Sequence, residues 1–89
     1  MNDPRETPYV RAQMQRTEQN FLIGANLQSL REDRGMTQKE LAKAACVSQA
    51  MISQVEKGLK ALTLPLALQL TDVLHCTLED FITFPMKQK

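Results

Sequence analysis

Between Ser48 and Gly58 the chain reads SQAMISQVEKG, and its polar side chains are mostly amides and hydroxyls rather than charges. At about 100° per residue, Gln49, Ala50, Ser53, Gln54 and Lys57 fall on one side of a helix, and Met51, Ile52 and Val55 on the other. A primary amide carries an acceptor and a donor side by side, the arrangement that pairs with N6 and N7 of adenine in a major groove, while a small methyl can meet the thymine methyl. Gln49, Ala50, Ser53 and Gln54 are therefore candidate base-reading residues.

No set of side chains offers acid–base or nucleophilic chemistry to rival this. Cys46, His75 and Cys76 are the whole complement of cysteine and histidine. Two thiols and one imidazole fall short of a closed zinc site, and there is no CxxC. His75 and Cys76 are adjacent, which suits two ligands poorly. A metal or redox sensor is thus the competing reading, and buried structural thiols the favoured one. The chain is expected to be no enzyme and to need no cofactor or metal.

A reading face needs a helix to carry it and a body to project it. Ser48 is suited to cap the helix 48–58, Val47 and Ile52 are spaced as a hydrophobic staple, and Gly58 can end it, giving about three turns. The preceding helix opens at TQKE, where Thr37 caps, Glu40 reaches back, and Met36 and Leu41 form the staple. Helix one is predicted from about residue 18 or 20 to Arg34, with Ile23, Leu27 and Leu30 inward and Gly35 as its stop. Helix four opens at TLPL, capped by Thr63 with Pro65 in its first turn, and buries Leu66, Leu70, Val73 and Leu74. Helix five opens at TLEDF with Thr77 as cap, and Cys76 is placed to staple to Phe81. Residues 1–17, with Pro4 and Pro8, form a polar leader expected to be mobile or partly helical; residues 18–83 are the domain and 84–89 a loose tail. The expected fold is an all-α, compact five-helix domain. Helices two and three, joined by a few residues, form a helix-turn-helix whose second member projects.

Eighty-nine residues make one small domain. No apolar run is long enough to span a bilayer and no signal-peptide core precedes the helices, so a cytoplasmic setting is expected, in keeping with two cysteines that form no framework. Net charge is only +1, but it is unevenly placed. From Arg34 to Lys60 five cations face two carboxylates, a net +3; from Ala61 to Met86 three carboxylates stand alone, a net −3. The amide-bearing helix lies in the basic half.

The stretches LQSLREDRGMTQKELA, VSQAMISQVEKG and LPLALQLTDVLHCTLEDF, in this order and spacing, resemble the helix-turn-helix domain of the phage repressor/Cro family, also called the xenobiotic-response-element family. The resemblance covers about Ile23 to Phe81. It implies a transcriptional regulator, repressor-like, with Gln49, Ala50, Ser53 and Gln54 in the base-facing positions. It also implies that Gln38 touches a phosphate and buttresses the recognition helix, and that Arg31 and Glu56 form an internal ion pair between helices one and three. Lys39, Lys43, Lys57 and Lys60 are the candidates for phosphate contact, together with the cap residues Thr37 and Ser48. Two positions depart from the family: Cys46 and His75 stand where glycine is usual, and both sites can require positive φ.

One recognition helix reads few base pairs, so a homodimer on a palindromic site of double-stranded DNA is expected. Leu62, Leu64, Leu68, Ile82 and Phe84 are left over after the core is assigned, and they lie in the acidic half. They are the expected two-fold contact. The alternatives are an antitoxin with a toxin partner, a restriction–modification controller of the same fold, or a protein-interaction module that binds no DNA. Arg5, Arg11 and Arg16 offer a minor-groove arm as an alternative to a plain leader.

Overall fold

The computed structural model describes the backbone of residues 8–83 and the side chains of residues 16–83; the expectations for Arg5, Arg11 and Phe84 lie outside the described residues. Five helices follow in order: α1 (Pro8–Asp33), α2 (Gln38–Ala45), α3 (Gln49–Glu56), α4 (Leu64–Leu74) and α5 (Glu79–Ile82). Among the described residues there is no strand, and no helix is long and apolar enough to cross a membrane.

Helix α1 starts at Pro8 rather than at 18–20. Proline suits the first helical position because its φ is already helical and its missing N–H would have no partner there. No glycine or proline interrupts the next fifteen residues, so nothing stops the helix before the domain begins. Helix α3 is shorter than expected: eight residues, or about two turns, between the Ser48 cap and Lys57. Helix α5 is assigned from Glu79, but Thr77 and Asp80 still exchange two hydrogen bonds (2.9 and 3.3 Å) across its start.

The first four helix ends close in the same way. At each, a residue with positive φ is followed by an N–H that reaches back five residues: Met36 to Arg31, Val47 to Ala42, Leu59 to Gln54, and Cys76 to Thr71. Glycine occupies two of the left-handed positions, Gly35 (φ 68°) and Gly58 (φ 78°); Cys46 (φ 59°) and His75 (φ 54°) occupy the others. The left-handed turn throws the Cys46 side chain outward. It is exposed, which corrects the expectation of a buried thiol at that position. Cys76 is half-buried against the core.

Leu27, Leu41, Ile52, Val55, Leu70, Leu74 and Phe81 are fully enclosed, so every helix contributes to one core. Helix α1 packs on α3 and α5, and α2 packs on α3 and α4. Small residues set the close approaches: Ala42 and Ala45 on α2, and Gly24 on α1. A Cβ on Gly24 would lie 2.3 Å from the Val55 carbonyl oxygen and 2.6 Å from that of Glu56, so α1 and the end of α3 touch backbone to backbone. Leu62, expected among the leftover apolar residues, is instead half-buried and packed against the core, because the loop before α4 folds it inward. Leu64, Leu68 and Ile82 remain largely exposed.

Candidate nucleic-acid interface

The amide-bearing helix is held from behind. Glu56, at the end of α3, is 7% exposed and receives Arg31 Nε at 2.6 Å and Nη2 at 3.1 Å. Two parallel N–H donors on one carboxylate fix both planes, a geometry lysine could not supply. The Glu56 hydrogen bond is the main reason the Arg31 guanidinium pKa is raised, against the opposing effect of its burial. Arg31 Nη1 also donates to the Met36 carbonyl at 2.8 Å, which ties down the loop leading into α2. Gln38 Nε2 adds a third donor to Glu56 Oε1 at 2.8 Å. One carboxylate on α3 is thus held by α1 and by the first residue of α2.

With its inner face fixed by Ile52 and Val55 in the core, α3 turns Gln49 and Ala50 fully outward, with Ser53 and Gln54 half-covered. Met51 is half-buried and packs against the core, so it belongs to the support rather than to the outer face. Ser48 Oγ accepts from Met51 N at 3.0 Å. On α2, Thr37 Oγ1 accepts from Glu40 N at 3.0 Å while Glu40 Oε1 accepts from Thr37 N at 2.9 Å, a complete capping box. Lys39, Lys43, Lys57 and Lys60 are all exposed. The arrangement is a short helix with an uncharged, hydrogen-bonding outer face, flanked by lysines on neighbouring elements. Among the described residues no group of three His, Cys, Asp or Glu side chains gathers that could hold a metal ion.

Three further residues position these elements without belonging to any of the motifs. Gly24 makes the α1–α3 crossing possible. Asn26, buried, donates to the Phe81 and Thr83 carbonyls at 2.8 and 2.7 Å. Arg34 Nε donates to the Leu74 carbonyl at 2.7 Å, capping the end of α4. An asparagine and an arginine on a helix read as solvated surface unless their distant partners are known. Gly24 offered the one available signal, a glycine inside a helix where alanine would be favoured by about 1 kcal/mol.

Two short helices, α2 and α3, joined by a tight turn and held on a three-helix support define a helix-turn-helix domain. The helix-turn-helix family model matches residues 27–81, and the chain belongs to that family, of the Cro/C1 type. It is 40% identical over 57 residues to the HTH-type transcriptional regulator PrpR of Mycobacterium tuberculosis, an alignment that takes in 64% of this chain and only 12% of PrpR. Among solved structures, the clp gene regulator ClgR of Corynebacterium glutamicum is similar at 33% identity and a TM-score of 0.68, over 71% of this chain and 67% of that one. The restriction–modification controller protein C.AhdI of Aeromonas hydrophila matches in fold alone, at 24% identity and a TM-score of 0.67, over 70% of this chain and 94% of its own.

Proposed function

We propose that this chain is a sequence-specific transcriptional regulator of the cytoplasm that reads the major groove of double-stranded DNA with α3. Gln49, Ala50, Ser53 and Gln54 contact base edges. Lys39, Lys43, Lys57 and Lys60, with the capped starts of α2 and α3 at Thr37, Gln38 and Ser48, hold the phosphates. The observation that carries this reading is the contrast between the two faces of α3. Its outward face is polar and nearly uncharged, while its inward face is locked by a carboxylate with three donors on it. A surface helix with no reading task has no need of such fixed aim.

The regulator acts as a homodimer. Leu62, Leu64, Ala67, Leu78 and Ile82 of the acidic half, with Ile23 of α1, line an apolar groove of about 270 Å³ at the start of α4 and at α5. Placing the two-fold axis there leaves both α3 helices free to face one duplex, with half-sites about one helical turn (~34 Å) apart. The relatives' names support regulation of transcription. This chain spans only a small part of the length of PrpR.

Fluorescence anisotropy of a labelled random-sequence duplex at rising salt tests the reading. Binding that weakens linearly in log–log form, with a shallower slope for Lys43→Ala and Lys60→Ala, is expected. No binding to any duplex at low salt would move the chain to the class of protein-interaction modules.

A further inference from the structure

Helix α1 and Arg34, the residue that follows it, hold the C-terminal ends of α3, α4 and α5, each through one polar side chain. Arg31 binds Glu56 at the end of α3, Arg34 Nε binds the Leu74 carbonyl at the end of α4, and Asn26 Nδ2 binds the Phe81 and Thr83 carbonyls at the end of α5. The first of these aims the reading helix. The last does something different. Asn26 is 4% exposed, and its amide is spent on two carbonyls 55 and 57 residues away in the chain, so it offers no free group to DNA. What its amide fixes is the end of α5, where Ile82, 60% exposed, forms one wall of the apolar groove between α4 and α5. Helix α5 is only four residues long; the Thr77–Asp80 hydrogen bonds hold its start, and a single turn has little stability of its own to fix its end. Reading helix and groove are therefore both referenced to α1, one through Arg31 and the other through Asn26.

We propose that Asn26 is the positioning residue that sets the distance and angle between the reading helix and the two-fold contact, and thereby the half-site spacing the dimer accepts. The proposal rests on the dimeric reading of function above. Two linked heads gain affinity only when the second site lies where the link can place its head. A stiff link makes the spacing profile sharp, and a loosened one broadens it without changing what either head reads.

The test uses duplexes carrying the half-site recovered by selection from random DNA. They hold two inverted copies at separations varied one base pair at a time, alongside a duplex with a single copy. The full chain, Asn26→Ala and Asn26→Ser are compared. For the wild type, a one-step change from the best spacing should weaken binding about tenfold. For the folded variants the same series should vary by no more than about threefold, while single-copy affinity stays within about twofold of wild type. A folded variant that keeps the wild-type profile overturns the proposal. So does equal loss on single-copy and paired duplexes, which would make Asn26 a support of the reading head. Failure of both variants to fold would show that the clamp serves the monomer, with the same consequence. A flat profile for the wild type would remove the dimeric reading itself.

Discussion

At the scale of single residues, the proposed function divides the labour between side chains that read and side chains that aim. Gln49→Ala and Gln54→Ala should each relax base preference by about 1–3 kcal/mol for every bidentate amide–base pairing removed, measured as the affinity ratio between preferred and altered sequences. Glu56 behaves oppositely. Its removal leaves the Arg31 guanidinium buried with only the exposed Glu32 carboxylate, 3.9 Å from Nη2, as counter-charge, a cost of about 3–5 kcal/mol, so Glu56→Ala should lower the melting temperature by more than about 10 °C. An unchanged melt with abolished DNA affinity would place Glu56 at the interface instead. The two thiols should separate in a reagent titration at neutral pH. Cys46 is exposed, whereas burial, and then the neighbouring Asp80, push the Cys76 thiol pKa up and lower its thiolate fraction. Cys46 is expected to be labelled first; faster labelling of Cys76 would contradict its place against the core.

At the scale of elements, the helix ends carry the stability argument. Cys46 and His75 hold left-handed backbone without glycine's freedom, which costs roughly 1–2 kcal/mol for an ordinary side chain. Cys46→Gly and His75→Gly should each raise stability in urea by roughly 0.5–1 kcal/mol, once the greater entropy of an unfolded glycine is offset. Gly24→Ala should do the reverse. Its Cβ would press into the Val55 and Glu56 carbonyls and pry α3 from α1, at a cost of roughly 1–3 kcal/mol or more. Alanine is the better helix former, so a stabilised Gly24→Ala chain would contradict the close crossing.

Much of this layer was legible in the sequence, for a physical reason. The Thr37–Glu40 box, the Ser48 cap, and the stops at Gly35 and Gly58 are short-range devices whose partners lie within five residues. The polar face of α3 was legible from its period alone, and the Arg31–Glu56 pair from resemblance. Asn26, Arg34 and Gly24 were not, because each is defined by backbone 31 to 57 residues away that no local pattern marks. The start of α1 stays open in the sequence, between Pro8 and residues 18–20, because a polar, glycine-free run reads equally as leader or as helix. The buried reading of Cys46 failed because the left-handed turn decides where that side chain points.

At the scale of the whole molecule, the proposed DNA side and dimer side rest on the uneven placement of charge and exposed apolar residues along the chain. Leu64→Lys together with Ile82→Asp should yield a folded monomer by sedimentation, with operator affinity reduced by about a hundredfold because the second half-site no longer contributes. A double variant that still sediments as a dimer would send the interface elsewhere. The central claim is that α3 reads sequence, and selection of bound duplexes from a random pool tests it most directly. The predicted result is an enriched inverted repeat with half-sites about one helical turn apart, and altered half-site letters when selection is repeated with Gln49→Ala and Gln54→Ala. A pool that stays random after repeated rounds, or the same repeat recovered unchanged by both glutamine variants, would contradict it.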